Sequence, residues 1–279
     1  MLYLKCTAKL LLILSCLFTG CSTQKKEDGE PPTIQIPVTS FYTGNPNITT
    51  SPLGGICMMG GRTENDNAMR WFLNRAQGGD VLVMRASGSD GYNDYFYSEL
   101  GVNINSVETL VFNALTEDAS IIDKINQAEA IWFAGGDQGN YVAYWKDNAI
   151  EDALQSAIDR NVVIGGTSAG MAILGDYVWT GDAIVTDFLD VPYLHNTLTD
   201  THFSERNRMD RLQDFIGQTG AKGIAADEYT AICVDETGLA RVFGTDGEGD
   251  NAFFITPELQ IETVTGSANG NNSFNLANW

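Results

Sequence analysis

Three residues in one chain order could carry acyl-transfer chemistry: Ser168, His202 and Glu228. Ser168 lies in Gly166-Thr167-Ser168-Ala169-Gly170, a Gly-x-Ser-x-Gly pattern that follows the apolar run Val162-Val163-Ile164. Where this pattern joins a strand to a helix, its glycines permit a sharp turn that lifts the serine hydroxyl off the sheet edge. The same turn aims the first amides of the helix at an anion forming beside it. The Ala169 amide, with one from Gly135 or Gly136, is the expected oxyanion hole, an effect of about 3 kcal/mol per donor. A serine hydroxyl is a weak nucleophile without a base, and the chain has two histidines. His202 stands in the charged run Asp200-Thr201-His202-Phe203-Ser204-Glu205-Arg206-Asn207-Arg208-Met209-Asp210-Arg211, whereas His195, in Pro192-Tyr193-Leu194-His195-Asn196, reads as a loop residue. A carboxylate must then orient the imidazole and stabilise its cation. Glu228, closing the apolar run Gly223 to Ala226, is the leading choice, with Asp200 and Asp227 as rivals. Arg206, Arg208 and Arg211 could pair with a carboxylate on the substrate, and as a solvated helix face they would do nothing of the kind. Paired-cysteine spacing is absent and histidines are few, so neither a metal nor a cofactor is expected. Asp246 to Asn251 looks like a calcium loop, but Pro257 occupies the place of its closing Glu, and a hairpin turn accounts for it better.

The elements that must hold these residues alternate as in an α/β sheet. Strands are expected at Gly55–Met59, Val81–Met84, Asn103–Val107, Ile131–Ala134 and Val162–Ile164. Helical spacing appears in Met69, Phe72, Leu73 and Ala76, over Asp118–Ala128, and in Ile150, Ala153, Leu154, Ala157 and Ile158, with a further short helix around Tyr95–Leu100. Glycine-rich turns follow three of the strands, at Gly60-Gly61, Gly135-Gly136-Asp137-Gln138 and Gly166–Gly170. Loops at the carboxyl ends of parallel strands form the ligand crevice of such sheets, so these turns should meet there.

The amino terminus has a different character. Lys5 and Lys9 precede the apolar segment Leu10–Phe18, which closes in Thr19-Gly20-Cys21. Residues 1–20 read as a secretory signal, too short to span a bilayer. The pattern resembles a bacterial lipoprotein signal, which implies lipidation of Cys21, export, and anchoring at the outer membrane on its periplasmic or outer face. Residues 21–52, rich in Pro, Thr, Ser, Gly and Asn, read as a flexible tether, leaving 53–279 as one domain. The formal net charge of −20 becomes −22 without Lys5 and Lys9. Such acidity repels nucleic acid and favours cationic ligands. Cys57 and Cys233 sit in apolar runs and are expected as buried thiols, with a disulfide as the alternative.

Four blocks, Gly60-Gly61, Gly135–Gln138, Gly166–Gly170, and Asp200–Leu212 with Gly223–Ala231, together resemble the cyanophycinase and peptidase E branch of the serine peptidases. The resemblance implies a flavodoxin-like three-layer sandwich, related to class I glutamine amidotransferases, with a mostly parallel sheet and helices on both faces. It implies a Ser168-His202-Glu228 triad, and it puts Gln138, Asp200, Arg206, Arg208 and Arg211 on substrate-site positions. The substrate class it implies is an aspartyl or isoaspartyl peptide, or an arginine-rich aspartyl polymer. The chain departs from that pattern at Arg62 and Glu64, where Ala-Glu-Asp is usual, at Thr201, where Gln is usual, and over residues 176–199. An idle surface module that binds peptide or glycan in the same crevice is the alternative from another class. Oligomeric state is left open, a homodimer included.

Overall fold

The computed structural model describes residues 37–245 and 249–279. The signal, Cys21 and Asp246-Gly247-Glu248 of the expected hairpin turn lie outside them. In chain order the strands are β1 (Val38–Gly44), β2 (Ile56–Met59), β3 (Asp80–Arg85), β4 (Ser106–Phe112), β5 (Ala130–Phe133), β6 (Val163–Thr167), β7 (Val178–Trp179), β8 (Ile184–Val185), β9 (Thr197–Asp200), β10 (Lys222–Ala226), β11 (Ala231–Val234), β12 (Leu239–Phe243), β13 (Asn251–Ile255), β14 (Ile261–Thr265) and β15 (Asn272–Asn275). The α-helices are α1 (Asp66–Arg75), α2 (Ala119–Gln127), α3 (Gln138–Trp145), α4 (Ala149–Asp159), α5 (Ala169–Ala172) and α6 (Met209–Thr219). Tyr95–Glu99 forms one turn of π-helix. No helix among the described residues is long and apolar enough to cross a membrane.

Among the described residues the main sheet has nine strands in the order β1-β4-β3-β5-β6-β2-β11-β12-β15. Its centre, β4-β3-β5-β6-β2, is parallel, and antiparallel strands flank it on both sides. The parallel strands are apolar on both faces, which requires cover on both. Successive side chains alternate between two cores, as the pleat dictates. Met58, Leu82, Met84, Leu110, Ile131, Phe133 and Ile164 pack with the apolar stripes of α2, α3 and α4 on one face. Cys57, Met59, Val81, Val83, Val107, Trp132 and Val163 pack with Met69, Phe72 and Leu73 of α1 on the other. The three-layer α/β arrangement implied by the resemblance is thus the observed one. A second sheet, β14-β13-β10-β9, carries α6 on Leu198, Ala225 and Ile255.

Two expectations need correcting. The span 21–52 is not a tether throughout, because β1 pairs along its whole length with β4, from Val38 against Phe112 to Gly44 against Ser106. Beyond it, Ile48 N–H donates to Asp80 Oδ2 (3.0 Å) and Thr50 N–H to Glu129 Oε1 (3.2 Å). The domain therefore includes residues from Val38 onwards. The third central strand runs over Ser106–Phe112, later than Asn103–Val107, since Asn105 is used to bind the turn at Gly79 and the segment at Pro46.

Cys57 and Cys233 face each other across β2 and β11. Both are buried free thiols, Cys233 Sγ donating to Cys57 Sγ at 3.5 Å.

Candidate active site

Ser168 is the junction between β6 and α5. Its φ of +52° lies in the left-handed region that a side chain adopts only when its surroundings impose it. Here the imposition is backbone on both sides: Ser168 N–H donates to Met59 O (3.0 Å), and its carbonyl accepts from Ala172 N–H (2.9 Å). Gly170 must be glycine, because a Cβ there would lie 2.0 Å from Phe133 O. The turn is thereby pressed against β5, whose carboxyl end carries Gly135-Gly136.

The hydroxyl so presented meets His202 Nε2 at 2.9 Å, and His202 Nδ1 meets Glu228 Oε1 at 2.7 Å. His202 follows β9 and is 6% exposed. Its backbone N–H donates to Gly60 O (2.9 Å), and Gly61 runs beneath the imidazole. A Cβ on Gly61 would stand 2.3 Å from His202 Cε1, and its φ of +125° is one only glycine adopts freely. Burial pushes the imidazole below its ordinary pKa, assisted by the Arg206 and Arg208 charges and opposed by Glu228. Glu228 stands in the turn before β11, its backbone N–H donating to Glu205 Oε1 (3.1 Å). The rival acids are committed elsewhere. Asp227 accepts from the backbone of Ser204 (2.9 Å) and Asn251 (3.2 Å). Asp200 accepts from Arg208 Nη1 (3.0 Å) and from Arg211 Nη2 at Oδ2 (2.6 Å). His195 lies on the surface, paired with Asp190 Oδ1 at 3.0 Å.

A cavity of about 440 Å³ opens beside Ser168 and includes Gly136, Gln138, Ala169, Asp200, Arg206, Arg208 and Arg211 in its wall. The expected substrate residues thus converge, but not equivalently. Arg208 and Arg211 are bound to Asp200, whereas the Arg206 guanidinium has no side-chain partner among the described residues and is exposed. The Gln138 amide donates to Trp179 O (2.8 Å) and so ties the β7-β8 hairpin to the cavity rim. Of the expected oxyanion donors, Ala169 and Gly136 border the cavity, and Gly135 stands behind Ser168, where a Cβ on it would be 3.8 Å from Ser168 Cβ.

The sequence missed several contributors. Tyr141, fully buried on α3, donates its hydroxyl to Ala134 O (2.7 Å), with Gly135 O also near (3.3 Å). Each trans peptide opposes its N–H to its C=O, so this contact turns the Gly135 and Gly136 amides away from Tyr141. Trp179, tilted against Phe215 with ring centroids 4.7 Å apart, supplies a cavity wall for which nothing local in the sequence gave a signal. Arg62 was visible as a departure, without a partner; in the structure its Nε meets Glu228 Oε2 at 3.0 Å. Away from the site, Asp176, Asp190 and His195 bring three potential metal-ligand atoms within 4.8 Å of one another.

The model of peptidase family S51 matches residues 58–242. The chain is 25% identical over 241 residues to the cyanophycinase of Synechococcus elongatus, across 75% of this chain and 74% of that one. To the cyanophycinase of Geminocystis herdmanii it is 26% identical over 158 residues, across 53% and 58%. The crystal structure of a peptidase from an acI-B1 Actinobacterium superposes with a TM-score of 0.62 at 14% identity, over 81% of this chain and 98% of the other, a likeness of fold.

Proposed function

This chain belongs to peptidase family S51 and is a serine-type peptidase; from that premise we propose that it hydrolyses peptide or isopeptide bonds at aspartyl residues through an acyl-enzyme. The observation that carries the mechanism is the unbroken relay Ser168 Oγ, His202 Nε2, His202 Nδ1, Glu228 Oε1, with contacts of 2.9 and 2.7 Å. Ser168 Oγ attacks the scissile carbonyl carbon while His202 Nε2 accepts its proton. The carbonyl oxygen becomes an oxyanion received by the Ala169 amide and by that of Gly136 or Gly135. His202 then returns the proton to the leaving amine, and the C–N bond breaks. Water, deprotonated by the same imidazole, opens the ester and restores Ser168. Glu228 stays ionised throughout and stabilises the imidazolium.

For the substrate, the support is an unpaired guanidinium beside the nucleophile. A carboxylate held by Arg206 gains a charge-assisted contact of roughly 1.5–3 kcal/mol. Arg208 and Arg211 share the single carboxylate of Asp200, so together they shape that wall and leave it a net positive charge. The cyanophycinase relatives suggest a polymer with an aspartate backbone and arginine side chains, which the acidic surface suits. Lys5, Lys9, the run Leu10–Phe18 and Cys21 support export and lipid anchoring at the outer membrane.

The test uses the chain from Ser22 onwards with an acylating serine probe, cyanophycin, and a panel of α- and β-aspartyl dipeptides. Labelling lost in Ser168→Ala, together with cleavage of one of these substrates, is the expected result. Cleavage that persists in Ser168→Ala overturns the mechanism, and labelling without cleavage of any aspartyl substrate overturns the specificity.

A further inference from the structure

Glu228 offers two carboxylate oxygens, and their partners differ. Oε1 meets the imidazole, while Oε2 meets Arg62 Nε at 3.0 Å. No other side-chain partner of Oε2 occurs among the described residues. Arg62 is placed for this contact by the loop that also cradles the base. Gly60 O accepts from His202 N–H (2.9 Å), and Gly61 O accepts from Tyr229 N–H (3.1 Å). The loop is therefore bonded to the backbone of the histidine and to the residue after the glutamate. Arg62 (φ +70°), His202 (φ +46°) and Tyr229 (φ +62°) all occupy the left-handed region, a concentration of strain that persists only where the surroundings dictate it.

On the triad reading above, we propose that Arg62 is a positioning residue: its guanidinium fixes the Glu228 carboxylate against His202 and limits how strongly that carboxylate stabilises the imidazolium. The direction follows from charge. A cation on Oε2 withdraws part of the field that Glu228 exerts through Oε1, so the imidazole is easier to keep neutral. The Tyr229 hydroxyl is a further partner of the Arg62 guanidinium, and the other charged groups facing this pair are Glu205, bonded to the Glu228 amide, and Arg206 and Arg208, which act on His202 directly. Arg62 adds to the two arginines, and Glu205 opposes them. Because the Arg62 side chain is 62% exposed, solvent screens its effect. Removing its charge should raise the His202 pKa, by an amount that salt shrinks.

Two histidines in the whole chain make this directly measurable. In a full-length His195→Gln background, the single remaining imidazole is titrated by NMR, with Arg62→Met and Arg62→Glu compared with the parent. The expected result is an upward shift in Arg62→Met and a larger one in Arg62→Glu, both shrinking in high salt. The acid limb of kcat/KM should move by the same amount, with kcat lowered about three- to tenfold and KM unchanged. An imidazole pKa identical in all three proteins overturns the proposal. So does a rise in KM alone, which would make Arg62 a substrate contact. The NMR titration needs no turnover, and if Ser168→Ala leaves hydrolysis intact it is the triad reading that fails.

Discussion

Three carboxylates, Asp200, Asp227 and Glu228, hold different partners around the His202 loop, and each loses something different when neutralised. Glu228→Gln removes the group that stabilises the imidazolium and should cut kcat steeply while leaving the melting temperature near its parent value. Asp200→Asn strips the shared partner from Arg208 and Arg211 and should lower stability by about 1–3 kcal/mol along with activity. Asp227→Asn disturbs contacts from the Ser204 amide and from the Asn251 amide and side chain, none of which reaches His202, so its loss of activity should be the smallest. Thermal melts and kcat/KM on all three variants check this ranking; parity of Glu228→Gln with Asp227→Asn would remove Glu228 from the relay. Gly61→Ala is a separate test, since its methyl would overlap the imidazole: turnover should fall by at least about a hundredfold with the fold retained, as for any displaced catalytic base. Titration follows from burial. The folded pKa of His202 is depressed, so kcat/KM should persist below the ordinary histidine range near ~6.5 and decline as pH falls through the lowered value. The unfolded chain binds that proton first, so His202 also draws down stability as pH drops from the unfolded pKa to the folded one.

The strand-and-helix alternation was legible because the central strands are apolar runs punctuated by glycine turns, and α1, α2 and α4 show their buried stripes at helical spacing. Ser168, His202 and Glu228 stood out for different reasons: the serine by its Gly-x-Ser-x-Gly turn after a strand, the histidine by its charged setting, and the glutamate because it closes an apolar run. What escaped notice lacks any such local pattern. β1 reads Val38-Thr39-Ser40-Phe41-Tyr42-Thr43-Gly44 and is half exposed; it is a strand because the edge of β4 is there to pair with. The β7-β8 hairpin exists through Gln138 and the Trp179-Phe215 contact, both distant in sequence. Arg62 was visible only as a departure from the family pattern, because its partner lies far along the chain. A chain starting at Leu53 should therefore misbehave. Loss of β1 and the segment after it uncovers β4 as a new edge and takes the Ile48 and Thr50 amides from the Asp80 and Glu129 carboxylates, so aggregation or a melting temperature lowered by several degrees is expected relative to a chain starting at Gln35. Equal stability of the two would show that β1 is dispensable.

Taken as one charged body, the protein carries a formal net charge of −20, while the cavity beside Ser168 is walled by three arginines. A polycationic substrate is drawn by the first and its carboxylates by the second. KM for an arginine-rich polymer should rise between low and physiological salt, where the Debye length shortens to about 8 Å, while KM for a neutral activated ester should not. Identical salt dependence for both would mean that the global charge plays no part in capture. One further consequence lies in where β1 joins the sheet. Val38 pairs with Phe112, at the carboxyl end of the parallel strands, the rim from which Ser168 and Gly60 project. Val38 itself thus lies at the rim that opens onto substrate. If Cys21 bears lipid, the chain from it to Val38 can span at most roughly 60 Å, which caps the gap between membrane and rim and so the size of what can approach. Inserting a Gly/Ser stretch before Val38 should then speed digestion of bulky polymer by vesicle-bound protein and leave dipeptide turnover untouched. In that arrangement a stretch of chain with no role in the chemistry would decide which meals fit under the door.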